Sequence, residues 1–317
     1  MNIVFMGTPD FAVPSLSALI KSKHKILSVI TQPDRPSGRG KKLKMPPVKE
    51  VALEHNIQVL QPKKIREESF ISSLKALKPD IIVVIAYGQI LPKEILTIPE
   101  KGCVNVHASL LPAYRGAAPI HWAIIKGEKK TGITTMYMDE GLDTGDMILK
   151  DEVEIKEDMT AGELHDVLAN LGAKTLLNTL DNIENDKIIS IPQDHTMHTY
   201  APMLDKNVGK IDWSQSADHI FNLIRGTNPW PGAFTELLGK KMKVWKAGIF
   251  DDYKDVSGKP GEILQHIPHV GWIVKTGDGC IVISQIQMPN GKRMSVDAFV
   301  LGNQIQKGTI LGQGRCE

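Results

Sequence analysis

CVNVHASLLPAYRGAAPIHW, Cys103 to Trp122, opens as a short apolar strand in which Val104 and Val106 alternate with Asn105 and His107. A strand repeats its side-chain direction every second residue, so Asn105 and His107 share one face, an amide donor beside an imidazole. Pro112, Gly116 and Pro119 then interrupt regular structure before the helical pattern of Ile120, Trp122, Ala123 and Ile124. A polar pair closing a strand, followed by a rigid loop and a helix, is how open α/β sheets carry chemistry at their strand ends.

Upstream, Met1 to Gly7 is a near-continuous apolar run ending at glycine, as in a buried parallel strand. Pro9, Asp10 and Pro14 open a helix with Phe11, Leu16, Leu19 and Ile20 on its inner face. The strand–glycine–helix opening lacks the G-x-G-x-x-G spacing of a dinucleotide site. Strands are expected at Ile26–Thr31 and Ile57–Leu60, and helices at Val48–His55 and Glu67–Leu77. The β-branched run from Asp80 to Ala86 reads as a central strand, with Tyr87, Gly88 and Gln89 at its carboxyl end. Downstream, strands at Thr131–Met138 and Met147–Ile155 precede a long helix at Thr160–Ile183. Repeated βα units of this kind predict a doubly wound, mostly parallel sheet.

Residues 32–49 break that pattern. Arg35, Arg39, Lys41, Lys42, Lys44 and Lys49 face only Asp34, and prolines and glycine-flanked arginines predict an irregular, mobile basic loop. Such charge is either a solvated surface or a contact for a polyanion such as a nucleic-acid backbone. Periodicity is lost again between Ile188 and Asp212. Beyond it, Ser214–Arg225 reads as a helix with Ser214 as N-cap. Short β runs follow at Ala233–Leu238, Met242–Ala247, Gly261–Gln265, Trp272–Lys275, Ile281–Gln287 and Val296–Val300. Their close spacing predicts a small barrel, with Lys240, Lys241, Lys243 and Lys246 around one hairpin. The expected division is a domain at 1–189, a linker at 190–207 and a β domain at 208–317.

Three scattered cysteines, Cys103, Cys280 and Cys316, make neither a disulfide framework nor a zinc site. No apolar run nears the ~20 residues that span a bilayer, and the first residues read straight into a strand, so the cytosol is the expected compartment. His195 and His198 lie three apart with no further ligand nearby, and no metal is expected. Asp139, Asp143 and Asp146 in DEGLDTGD are either a turn or an oxygen-rich loop, without EF-hand spacing. Placed beside the Asn105/His107 strand, one of these carboxylates could pair with the imidazole and fix its orientation. No G-x-S-x-G nucleophile is present, and nothing is placed to activate Cys103. An amide, an imidazole and a carboxylate without a nucleophile suit direct acyl transfer to an amine: Asn105 donates to the oxyanion, His107 stabilises it or moves a proton, and Asp143 sets the histidine. The plainer alternative is that His107 only satisfies a loop carbonyl.

Asn105-Val-His107-Ala-Ser-Leu-Leu-Pro112, Arg115-Gly-x-Ala-Pro119 and Leu142-Asp143-Thr-Gly-Asp146 resemble the 10-formyltetrahydrofolate-dependent formyltransferases. The likeness extends to Phe5-Met-Gly-Thr-Pro-Asp-Phe11, the basic stretch from Gln32, and Asn228-Pro-Trp-Pro-Gly232. It implies a Rossmann-like formyltransferase domain followed by an OB-like barrel, with Asn105, His107 and Asp143 catalytic. It sets Ser109, Leu110, Leu111 and Pro112, with Tyr87 and Gly88, against the folate. It implies formyl transfer from 10-formyltetrahydrofolate to the methionine amine of an initiator tRNA by a monomer without metal. Arg35, Arg39, Lys41, Lys42 and Lys44 would bind the tRNA, with Arg39 leading, and the barrel would add phosphate contacts. The competing readings are a formyltransferase for an amino-sugar nucleotide and a non-catalytic RNA-binding protein.

Overall fold

A computed structural model of the chain describes residues 1–37, 42–250 and 257–313. The chain divides into two compact units: Met1–Pro119 with Lys130–Val153 and His165–Ala201, and Ile120–Lys129 with Glu154–Leu164 and Pro202–Glu317.

The chain runs β1 (Asn2–Gly7), α1 (Val13–Ile20), β2 (Lys25–Ile30), β3 (Arg35–Ser37), β4 (Lys42–Lys44), α2 (Pro47–Glu54), β5 (Val59–Leu60), α3 (Glu68–Ala76), β6 (Ile81–Ile85) and α4 (Lys93–Leu96). It continues through β7 (Cys103–His107), β8 (Arg115–Gly116), α5 (Pro119–Ile125), β9 (Lys130–Tyr137), β10 (Met147–Glu154), α6 (Ala161–Glu184) and β11 (Tyr200–Ala201). Seven strands form one sheet in the order β10-β9-β7-β6-β1-β2-β5. The pairs β1–β2, β1–β6, β2–β5 and β6–β7 are parallel, and β9 is antiparallel to β7. This is the doubly wound Rossmann-like sheet.

The apolar run of β6 is buried throughout, which is why it reads as unbroken Ile and Val rather than as an alternation. On one face Val4, Met6, Ile82, Val84 and Cys103 pack with Phe70 and Leu74 of α3 and Ile95 of α4. On the other, α6 brings Gly172 against Val106 of β7 and Ile133 of β9. Strand order reverses between β1 and β6, so the carboxyl ends of these strands border the crevice where such sheets take ligands. Thr8 follows β1, Tyr87 and Gly88 follow β6, and β7 ends on His107 beside them.

The basic stretch is not irregular where it is described. Its described part forms a hairpin, with Arg35 opposite Lys44 and Ser37 opposite Lys42, followed at once by α2. Asp34, Lys49 and Gln61 close the root of this hairpin: Lys49 Nζ donates to Asp34 at 2.8 Å, and Gln61 Nε2 donates to both Asp34 Oδ1 and the Gln32 carbonyl. Local composition could not reveal these ties, because Gln61 comes from a segment some thirty residues on.

The second unit contains α7 (Ala217–Gly226), β12 (Ala233–Leu237), β13 (Lys240–Ile249), β14 (Ile263–Ile267), β15 (Gly271–Lys275), β16 (Cys280–Gln287), β17 (Met294–Ser295) and α8 (Val296–Val300). Its strands pair antiparallel in the order β12-β13-β16-β15-β14, with β17 on β16. Register shifts between Val244 and Ala247 mark a bulge where the sheet curls around Trp272, Ile281, Ile283 and Ile286, as a small barrel requires. Two local expectations change. The cap of α7 is Ser216, which accepts from the His219 amide, while Ser214 bonds to Asp212 instead. The Val296–Val300 run is a helical turn, because Ser295 caps it by accepting from the Ala298 amide; the cap outweighs the β-favouring valines. No described helix is long and apolar enough to cross a membrane.

Candidate active site

β7 carries Asn105 and His107 on one face, as the alternation predicts. His107 is buried, and its Nε2 lies 2.9 Å from the Tyr114 carbonyl oxygen. A carbonyl can only accept, so Nε2 carries the hydrogen, and Nδ1 is the ring atom turned toward Asp143. Nδ1 and Asp143 Oδ2 are 3.7 Å apart, too far for a direct hydrogen bond but close enough to share one small group. The plain role for His107, satisfying a loop carbonyl, and the chemical one therefore coexist on its two nitrogens. Asn105 is half-buried, and its amide has no hydrogen-bond partner among the described residues, which leaves it open to a ligand.

Asp143 arrives from the loop between β9 and β10. Its backbone sits in the left-handed region at φ 54°, and its Oδ2 accepts from the Gly116 amide at 2.8 Å. Gly145 is required by contact: a Cβ there would run into the Tyr137 carbonyl oxygen. Asp139 Oδ1 accepts from Gly141 and from Thr144, so that carboxylate closes the turn internally. DEGLDTGD is thus a turn, and its carboxylates divide the work: Asp139 shapes it and Asp143 faces the histidine.

Two residues that periodicity passes over hold this arrangement together. Gln193, 5% exposed, donates through Nε2 to the carbonyls of Asp143 and Gly145. Its Oε1 accepts from Nε and an Nη of the buried Arg115, whose Nη also reaches His195 Nδ1 at 3.2 Å. A buried guanidinium facing an amide and an imidazole instead of a carboxylate makes removal of Gln193 costly. Thr134, fully buried on β9, donates to the Ser109 carbonyl at 2.7 Å and accepts from the Leu111 amide at 3.1 Å. The turn at Ser109–Pro112 is further tied by Ser109 Oγ donating to the Ala113 carbonyl and Lys150 Nζ to that of Leu111. Burial lowers the Lys150 pKa from its usual value. The threonine at position 134 was visible as a polar residue at an inward position of an apolar strand; nothing local marks Gln193.

The Tyr87 ring belongs to the core, with its phenol pushed up to about 12 by burial and without a partner among the described residues. Its carbonyl accepts from Thr8 Oγ1, so this residue ties the end of β6 to that of β1 and offers a ligand its backbone more than its ring. Cys103 lies beneath α4, its thiol pushed up to about 12 by burial, and is a core residue. On the hairpin, Arg35 and Lys44 are exposed and directly opposed, a like-charge pairing that an anion would relieve. Neither makes an ion pair among the described residues. Arg39 and Lys41 lie outside the described residues, as does the side chain of Lys42. On β13 of the second unit, Lys241 stands 3.5 Å over the Phe234 ring, while Lys243 and Arg293 flank Trp245. Cations and aromatic faces thus alternate on one exposed surface, and burial together with Lys241 and Arg293 lowers the Lys243 pKa.

Comparisons with known proteins agree with this layout. Residues 1–180 match the family model for the formyl transferases, and residues 203–304 the model for the formyl transferase C-terminal domain. The chain is 56% identical over 313 residues to the methionyl-tRNA formyltransferase of Acetivibrio thermocellus, covering 99% of this chain and 100% of that protein. It is 57% identical over 313 residues to that of Alkaliphilus oremlandii, with the same coverage. Among solved structures, the N-formyltransferase from Helicobacter canadensis in complex with folinic acid and dTDP-3-aminofucose superposes with a TM-score of 0.68 at 20% identity, over 89% of this chain and 98% of that one. WlaRD, a sugar 3N-formyl transferase, gives 0.67 at 20% identity, over 92% and 99%. At that identity the structures speak for the fold alone. With both family models matched in order and full-length relatives above half identity, the chain belongs to the formyl transferase family.

Proposed function

We propose that the chain transfers the formyl group of 10-formyltetrahydrofolate to the α-amine of methionine on initiator tRNA, giving formylmethionyl-tRNA and tetrahydrofolate. The observation that carries this reading is full-length identity above one half to methionyl-tRNA formyltransferases. Folate supplies an activated formyl carbon. Asn105 donates its free amide to the oxygen that gains charge as the amine attacks; one such donor is worth roughly 3–4 kcal/mol. With Nε2–H held by Tyr114, His107 Nδ1 takes the proton leaving the amine, and Asp143 stabilises the imidazolium so formed. The C–N bond to folate breaks as the new amide forms, and the leaving folate nitrogen takes the proton from the His107 imidazolium, which returns to its neutral form. The Ser109–Pro112 turn, with Tyr87 and Gly88, walls the folate. The protein works in the cytosol as a monomer, with catalysis in residues 1–189, a linker at 190–207, and tRNA contacts in 208–317.

The described hairpin charges, Arg35 and Lys44, bind tRNA phosphates together with Arg39, Lys41 and Lys42. The cation–aromatic surface around Trp245 adds contacts of the kind that suit bases and phosphates. Each phosphate contact removed lowers the salt slope of binding by roughly 0.7–0.9. Arg35→Ala combined with Lys44→Ala is therefore expected to flatten the plot of log affinity for charged tRNA against log salt by about 1.4–1.8 while folate binding is unchanged. A slope equal to that of the unmodified protein removes the hairpin from the interface.

The function itself is tested by offering charged initiator tRNA and an amino-sugar nucleotide side by side with 10-formyltetrahydrofolate. Formylation of the tRNA with negligible sugar turnover is expected; preference for the sugar would overturn the reading.

A further inference from the structure

Gln32 lies two residues beyond the end of β2, on the connection that leads into the basic hairpin, and the family resemblance gives it no role. Every backbone group of this residue is engaged: its amide donates to Thr8 Oγ1 at 3.2 Å, and its carbonyl accepts from Thr31 Oγ1 and from Gln61 Nε2, both at 2.9 Å. Its side chain is the reverse. The residue is only 9% exposed, yet Nε2 has no hydrogen-bond partner among the described residues. Leaving a buried amide donor unmatched costs about 1–3 kcal/mol, so a rigidly anchored residue that does so marks a place where something else completes the bond.

The surroundings say what. The side chain lies across the end of β1 toward Gly88, where a Cβ would be 4.0 Å from Gln32 Cγ and would meet nothing nearer. Gly88 has φ 89°, a conformation that side chains rarely adopt, so the space beside Gln32 is kept free by backbone geometry. One neutral donor in a buried recess suits a neutral acceptor; a phosphate would call for the charges that stand on the hairpin instead. Gln61 bonds both to the Gln32 carbonyl and to Asp34 at the hairpin root, so the recess and the cationic hairpin are held as one piece. Strands β2, β1, β6 and β7 are consecutive in the sheet, so three spacings of ~4.8 Å set Gln32 about 14 Å from His107. An aminoacylated strand whose phosphates rest on the hairpin and whose amine reaches His107 would run close to Gln32. Because Gly88 is also assigned to the folate wall, the formyl donor is the competing occupant that the test has to separate.

We propose that Gln32 Nε2 donates to a base or ribose acceptor in the unpaired 3′ end of the charged tRNA, making Gln32 a substrate-specificity residue. This rests on the reading that the chain formylates charged tRNA. The experiment measures formyl transfer by the full chain and by Gln32→Leu and Gln32→Glu, varying charged initiator tRNA and 10-formyltetrahydrofolate in turn, with thermal unfolding of each protein. For Gln32→Leu, KM for the charged tRNA should rise about three- to tenfold, the worth of one hydrogen bond, while KM for the formyl donor stays put. Its Tm should equal or exceed that of the unmodified protein, since an unmatched buried amide has been removed. Gln32→Glu, similar in shape but an acceptor, should raise the tRNA KM further. The same penalties should persist on a charged minihelix that keeps only the acceptor stem and 3′ end. An unchanged tRNA KM, a penalty that vanishes on the minihelix, or a raised KM confined to the formyl donor would each overturn the assignment. If the unmodified protein turns over charged tRNA normally in the same assay, such a result leaves the proposed function standing; if it does not, both fall together.

Discussion

Asn105→Ala is expected to lower kcat for formyl transfer by more than ~100-fold, the scale of one oxyanion donor, with little change in KM for either substrate. The reason is geometric. The Asn105 amide has no partner among the described residues, and in the proposed mechanism it donates as charge develops on the formyl oxygen. A group bound equally in ground and transition states would alter KM instead. His107→Ala should fall by a similar factor, and the double variant by much less than the product of the two, because both serve one transition state. Single-turnover rates with pre-bound substrates are the clean measurement. Near-normal rates in either single variant would take that residue out of the mechanism.

The second large effect is expected far from any reacting atom. Gly145→Ala introduces a Cβ against the Tyr137 carbonyl oxygen, a main-chain atom of β9 that cannot swing away. The loop must move instead, and with it Asp143, whose Oδ2 holds the Gly116 amide and faces His107. Misplacement of a positioned group by about 1 Å costs on the order of 100-fold in rate, so kcat should drop by that much. Gln193→Ala is the companion test. It withdraws donors from the Asp143 and Gly145 carbonyls and leaves Arg115 buried without its acceptor, so Tm should fall along with kcat. Wild-type kcat and Tm in Gly145→Ala would show that the loop tolerates the crowding and that the position of Asp143 is not held there.

Several features of this molecule were legible in one dimension because they depend on short-range periodicity. Alternation of Val104 and Val106 with Asn105 and His107 puts the amide and imidazole on one face whatever surrounds the strand. The unbroken Ile and Val of β6 identify a strand covered on both sides, hence the centre of the sheet. The hairpin was not legible, because proline and glycine content speaks for turns, while the ties that fold it join Asp34 to Lys49 at the far end of the stretch and to Gln61 outside it. The capping of α7 by Ser216 rather than Ser214 was a choice between two serines two residues apart, decided when Asp212 engaged Ser214. In Val296–Val300, a short β-favouring run yielded to the serine in front of it.

By itself, then, the order of residues determined the doubly wound sheet, the strand that carries Asn105 and His107, and, through the resemblance of its motifs, the family to which the chain belongs. The tertiary structure alone decided which histidine nitrogen faces Asp143, that Gln193 and Thr134 brace the site, and that the Gln32 amide is left unmatched. The physical reason is one of range. Side-chain direction along a strand follows from backbone geometry over two residues, whereas a hydrogen bond between residues 50 or 80 positions apart exists only once the sheet has brought their segments together.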